Sequence, residues 1–284
     1  MNNPVGFLVI DKPAGITSHD VVAKVRNRFS TKRVGHAGTL DPMATGVLVV
    51  GVGVATKLLQ YIVTGTKRYE ATIRLGISTT TDDRDGERIS EASTTAIGDQ
   101  TIRNSLANFV GLIRQVPSSV SAIKVGGKRA YDLVRAGTEV DLPAREVEIS
   151  ELKVIKIDRG EHLDVDIEVT CSAGTYIRAI ARDLGNLLGV GGHLIALRRT
   201  LVAPFAISDA AGIENAELLP VVDVIRKVLP TRELKEPEVQ ELRFGRKITT
   251  TGKPGAVAAI WNGELIALIE DDGNGARPVT VFNP

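Results

Sequence analysis

A chain of 284 residues with 43% hydrophobic content carries enough apolar material for one large core and a smaller second one. Its single cysteine, Cys171, excludes an intrachain disulfide and a cysteine-rich zinc site, and its four histidines stand too far apart for a local metal motif. A net charge of +1 gives no global pull toward a polyanion, no apolar run approaches the roughly 18 residues of a membrane span, and the N-terminus lacks a basic leader, so the cytoplasm is the expected compartment.

In chain order, Phe7 to Ile10 reads as a short strand, and Ser18 as the N-cap of a helix whose Val21, Val22, Val25 and Phe29 share one face. From Tyr69 to Leu75 apolar residues alternate with Glu70, Thr72 and Arg74, the two-residue period of a half-buried strand, and the same period returns from Leu163 to Cys171. After Ser172-Ala173-Gly174, the residues Ile177, Ile180, Ala181, Leu184, Leu187 and Leu188 make a helical apolar stripe closed by Gly189. Strands and helices mix without a strict βαβ rhythm, which predicts an α+β fold. Near the C-terminus, Ala258 to Trp261 and Glu264 to Ile269 flank Asn262-Gly263, a strong hairpin signal, and Val279 to Phe282 adds a third strand-like run. The expected division is a domain over residues 1–229 and a small β-rich one over 230–284.

Charge is uneven along the chain. Residues 12–60 carry Lys12, Lys24, Arg26, Arg28, Lys32, Arg33 and Lys57 against Asp20 and Asp41, and residues 111–136 carry Arg114, Lys124, Lys128, Arg129 and Arg135 against Asp132. Two motifs are decoys. VLVVGVGVATKLL imitates a dinucleotide fingerprint but has Thr56 where the third glycine belongs, and TTTDDRDG imitates a calcium loop but puts Thr81 at the first ligand position.

The stretch GHAGTLDPMATG, residues 35–46, is different. Gly35, Gly38 and Gly46 bracket an aspartate set directly before Pro42, which fixes its own φ and pushes Asp41 toward extended backbone. Spacing alone leaves two readings, an ordinary turn residue or a carboxylate on a rigid platform, and turn preferences favour the first.

The residues themselves go further. GHAGTLDPMATG resembles the signature of the bacterial tRNA pseudouridine-55 synthases of the TruB family, which convert the T-loop uridine of tRNA to pseudouridine. VIDKPAGITSHDVV, KRYEATIRLG, LGISTTTDDRDG, QVPSSVSAIKVGGKRAYDLVRAG, CSAGTYIRAIARDLG and HLIALRRT resemble further segments of that family in order, over roughly residues 5 to 205. The tail from about 231 resembles its PUA-like RNA-binding domain more loosely.

That resemblance implies an isomerase needing no cofactor and no metal, with Asp41 as catalytic aspartate, Tyr69 packing on the flipped base, and Arg178 pairing with Asp41. It implies substrate contacts from His36, Tyr176, Lys12, Asp83 and Leu197, and from Lys124, Lys128 and Arg129 of an RNA-contacting insertion at about 117–145. Its expected partner is the tRNA T-stem-loop, bound by a monomer without a protein partner or membrane. The chemistry suits these residue types. A carboxylate is a nucleophile only when ionised, and an adjacent guanidinium lowers its pKa by about 1 to 3 units, against the rise that burial causes. An unstacked uridine regains about 1 to 3 kcal/mol on an aromatic platform. Attack at C1′, attack at C6 and base action at C2′ all remain open. Rival readings are a non-catalytic RNA-binding or RNA-folding protein and an aspartate-nucleophile hydrolase.

Overall fold

The computed structural model describes residues 4–118 and 142–282, together with the backbone of 124–125 and 128–129. Its first half runs β1 (Gly6–Lys12), α1 (Ser18–Arg28), β2 (Val34–His36), β3 (Thr45–Val52), α2 (Leu59–Val63), β4 (Lys67–Leu75), β5 (Ile77–Thr79), β6 (Arg88–Glu91), α3 (Asp99–Ala107) and β7 (Gly111–Gln115). Two-residue strands β8 (Lys124–Val125) and β9 (Lys128–Arg129) come next, then β10 (Arg145–Arg159), β11 (Leu163–Cys171), α4 (Ile177–Leu187), β12 (Gly192–Val202) and β13 (Phe205–Ala206). The chain closes with α5 (Val221–Val228), β14 (Thr231–Glu233), α6 (Glu236–Arg243), β15 (Val257–Trp261), β16 (Glu264–Asp271) and β17 (Ala276–Val281).

The main sheet has the order β1-β3-β12-β4-β11-β10-β7, with β2 beside β3 and β13 beside β12. All its pairings are antiparallel except β12 with β3, which meet over Arg198↔Thr45 and Arg199↔Gly46. This mixed sheet with flanking helices is the α+β class expected from the sequence. The continuous apolar run Val47 to Val50 reflects burial on both faces of β3. One face carries the first core, where Val21, Val25, Ile73, Ile102, Val165, Ile180 and Leu184 meet. Leu187, placed in the stripe by periodicity, is instead exposed.

Two local details fix how α1 and α4 are held. The N-cap of α1 is Thr17, not Ser18: its hydroxyl accepts from the Asp20 amide while the Asp20 carboxylate accepts from the Thr17 amide, a capping box. Ser18 is thereby left to hold Leu40, donating to its carbonyl at 3.0 Å and accepting from its amide at 2.8 Å. At the far end of α4, a Cβ added at Gly185 would stand 2.1 Å from the carbonyl carbon of Gly191. Glycine is what lets this helix touch the start of β12.

The tail forms its own sheet, β14-β15-β16-β17, in which β14 runs parallel to β15, a strand that sequence periodicity did not single out. Asn262 and Gly263 both take positive φ, 49° and 77°, as a two-residue hairpin turn requires. Strand alternation splits its side chains. Val257, Ala259, Ile266 and Ile269 pack on Val239 and Leu242 of α6, whereas Ala258, Ile260, Leu265 and Leu268 join a core with Phe7, Val9, Val47, Val49, Leu58 and Ile62. The tail therefore covers the second face of the main sheet at β1 and β3.

In the insertion, β8 pairs antiparallel with β9. The side chains of Lys124, Lys128 and Arg129, and the whole of Gly126, Gly127 and Arg135, lie outside the described residues.

Candidate active site

Asp41 sits in the loop between β2 and β3, and the surrounding chain holds that loop by its backbone. Gly15 donates to the Pro42 carbonyl at 2.9 Å, Ser18 holds Leu40, and the Ala44 amide reaches the Asp41 carbonyl at 3.1 Å. Arg199, 1% exposed, extends from β12 to the carbonyls of Val47 (2.8 Å), Gly38 (3.0 Å) and Thr39 (3.5 Å). Gly46 has φ +102°, and a Cβ there would stand 2.2 Å from the Arg199 carbonyl oxygen, so only glycine permits the β3–β12 seam at this point.

Arg178, in the first turn of α4, brings its guanidinium edge to Asp41. Nε lies 3.0 Å from Oδ2 and the second contact to Oδ1 is 3.3 Å. Its other nitrogen reaches Asp83 Oδ2 at 3.3 Å and the Thr81 carbonyl at 2.8 Å. One arginine thus spans two carboxylates, a fork that fixes both. Burial pushes the Asp41 carboxyl above the ordinary carboxylate range, outweighing the opposite pull of Arg178, and the Asp83 charge adds to the rise. The guanidinium expected to lower this pKa moderates an upward shift instead.

A cavity of about 260 Å³ opens beside Asp41, lined among others by Tyr69, Tyr176, Leu197, Arg199 and Lys67. Tyr69 is buried in its wall, on the inward face of β4, and that burial raises its phenol pKa, so the hydroxyl stays protonated at neutral pH. Tyr176 caps the N-terminus of α4, with its amide and carbonyl both bonded to the Gln115 side chain at 2.8 and 3.0 Å. A wider cleft of about 600 Å³ along β4, β11 and β12 shares Leu197 with this cavity. His36, at the end of β2, meets the ring of His19 edge-on at 5.6 Å, and burial pushes its pKa down to about 4. It is a neutral ring at physiological pH.

The structure brings together Asp41, Tyr69, Arg178, Tyr176 and Leu197, and leaves three expected substrate contacts, His36, Lys12 and Asp83, outside the cavity lining. Lys12 is 0% exposed, its ammonium held by the carbonyls of Pro13 (2.9 Å), Ile16 (2.7 Å) and Pro42 (3.3 Å), which leaves it no open face for a ligand. Asp83 is buried behind Arg178, accepting from the Thr81 hydroxyl and the Asp85 amide. Both act on the loop and the guanidinium from behind. Sequence reading missed Lys67, Arg199 and Gln115, and gave Ser18 only as a helix cap. Lys67 had a signal, because strand alternation puts it on the same face as Tyr69.

Three family descriptions match the chain: "TruB family pseudouridylate synthase (N terminal domain)" over residues 26–177, "tRNA pseudouridylate synthase B C-terminal domain" over 178–233, and "tRNA Pseudouridine synthase II, C terminal" over 229–283. Curated proteins named tRNA pseudouridine synthase B resemble it end to end. The one from Paenarthrobacter aurescens is 52% identical, over 98% of this chain and 95% of the relative, and the one from Corynebacterium efficiens is 49% identical, over 100% and 99%. Among solved structures, a chain from a Cbf5-Nop10-Gar1 complex has a TM-score of 0.73 at 25% identity, over 98% of this chain and 85% of that one.

Proposed function

We propose, from the premise that this chain belongs to the TruB family of tRNA pseudouridine synthases, that Asp41 is the group that opens the glycosidic bond of the target uridine. The observation that carries this reading is the two-point contact of Arg178 with Asp41 at the edge of a cavity walled by Tyr69. The guanidinium opposes the effect of burial and so favours the ionised carboxylate that the reaction needs. The reaction breaks C1′–N1 and makes C1′–C5, without redox change or hydrolysis.

The uridine reaches Asp41 only outside its stack, and Tyr69 supplies the replacement surface. Tyr176 and Leu197 shape the pocket, and neutral His36 contacts bases nearby by stacking, not as a general base. The basic insertion holds RNA phosphates through Lys124, Lys128 and Arg129. In this reading the target is the T-loop uridine, the enzyme works as a monomer in the cytoplasm, and residues 230–284 add a PUA-like RNA contact. Mapping pseudouridine in total tRNA from cells with and without the gene tests the target: loss at the T-loop position alone is expected, and an unchanged map overturns the assignment.

A further inference from the structure

Around the cavity, positive charge exceeds negative. Arg178 is matched by Asp41 and Asp83. Lys67 and Arg199 also line the cavity, are 5% and 1% exposed, and have no carboxylate within ion-pair distance among the described residues. Lys67 donates to the carbonyls of Val63 and Gly65, each at 2.6 Å, and Arg199 to those of Gly38, Thr39 and Val47. Carbonyl oxygens satisfy the N–H donors but leave the formal charges uncancelled. Buried cations without counter-ions are costly to keep, and an active site is where such cost is repaid.

We infer that Lys67 and Arg199 form an electrostatic cradle for the uracil anion, taking over the negative charge that Asp41 gives up during the reaction. The inference rests on the role proposed for Asp41, and the charge balance supports it. When C1′–N1 breaks, its electron pair leaves with N1 and the base becomes an anion, while Asp41 becomes neutral, either as an ester at C1′ or by taking the C2′ proton. Addition of Asp41 to C6 likewise neutralises the carboxylate and puts the charge on the ring. In each route one negative charge crosses from the Arg178 side of the cavity to the base. When C5 then bonds to C1′, the electron pair returns, C5 loses its proton, N1 gains one, and Asp41 is an anion again. Preorganised cations placed where charge develops act on the rate and not on ground-state affinity.

The test compares uridine with 5-fluorouridine at the target position of a T-stem-loop and follows breakage of C1′–N1 in a single turnover on both, because C5 of 5-fluorouridine carries fluorine in place of the departing proton and that base stops at the C5-bonded, fluorine-bearing adduct. Fluorine withdraws electrons from the ring, so the departing anion needs less help. Lys67→Met is expected to lower the single-turnover rate on uridine by about 100-fold, to leave RNA affinity within about twofold, and to lose at least about tenfold less on 5-fluorouridine; Lys67→Arg is expected to recover most of the uridine rate. Equal deficits on both bases would reduce Lys67 to a structural role and overturn the inference. Weakened affinity with a salt slope flattened by about 0.7 to 0.9 would overturn it in favour of a phosphate contact. If Lys67→Met fails to fold by circular dichroism, Lys67→Gln, which keeps N–H donors for both carbonyls, is judged by the same comparison. An Asp41→Asn control separates the two readings: full activity there sinks the site assignment, whereas an inactive Asp41→Asn beside a normal Lys67→Met sinks only the cradle.

Discussion

Lysines and arginines serve opposite ends in two regions of this molecule. In and beside the tail sheet, Arg226, Arg232, Arg246, Lys247 and Arg277 each reach a carboxylate, Glu233, Glu238, Glu241, Asp272 and Glu270 in turn, and all of these pairs but the partly buried Arg232–Glu238 lie where water can largely screen them. Around Asp41, Lys12, Lys67 and Arg199 are buried and bonded to backbone carbonyls, while Arg178 divides itself between two carboxylates. Surface pairs are inexpensive and contribute little. Buried cations without counter-ions lower stability, so their concentration around one loop marks where the chain trades stability for a field.

Deleting the tail is the harshest test of the contrast. Truncation after Leu229 strips cover from Phe7, Val9, Val47 and Val49, so the remainder is expected to aggregate or lose its cooperative melt, whereas the sequence alone suggested a separate domain over residues 1–229. A sharp melt with native circular dichroism would show that the shared core is dispensable. Within the site, Asp41→Asn should keep tRNA affinity within about threefold and reduce turnover by about 10⁴-fold or more, read by single-turnover kinetics. Activity within about tenfold of the parent breaks the assignment.

Arg178→Lys keeps the charge but not the planar fork, and a loss of about 10² to 10³-fold in kcat is expected. A benign variant would mean that the two-point geometry is unimportant. The buried lysines give a pH signature. Burial lowers Lys12 and Lys67 to about 8 from the ordinary 10.5, so between those values the unfolded chain holds protons that the folded one has released, and stability rises with pH across that window. Lys12→Met removes one such contribution, and denaturant unfolding at about pH 7.5 and about pH 9.5 should show it losing ground to the parent at the higher pH. Smallest of all, Arg246→Ala at the exposed Glu241 pair should shift stability by no more than about 0.5 kcal/mol. A larger loss would erase the distinction between the two regions.

How much of this was legible in the sequence depended on the physics involved. Two-residue alternation located β4 and β11, and Asn262-Gly263 located the tail hairpin, because those signals are local. The Asp41–Arg178 pair spans 137 positions of sequence, and only the family signature joined it. The burial of Lys12 and Asp83 was not legible, because a basic or acidic residue beside a signature suggests contact with substrate, while burial depends on what the remote chain packs over it. Ser18 was misassigned by one residue, since Thr17 and Ser18 are equally good caps and only the Leu40 contact decides between them.

The glycine clearance between α4 and β12 acts as a gauge for the chemistry. Gly185 lies seven residues past Arg178, two helical turns or about 10.5 Å along the axis. A methyl group at Gly185 would start 2.1 Å from the Gly191 carbonyl carbon, and restoring van der Waals separation requires the helix to retreat by more than about 1 Å. A helix retreats as a rod, and its first turn carries the guanidinium whose Nε is 3.0 Å from Asp41. The spacing of Asp41 from its guanidinium partner is therefore calibrated at a position with no side chain, and an alanine there would shift that pair without touching either of its members.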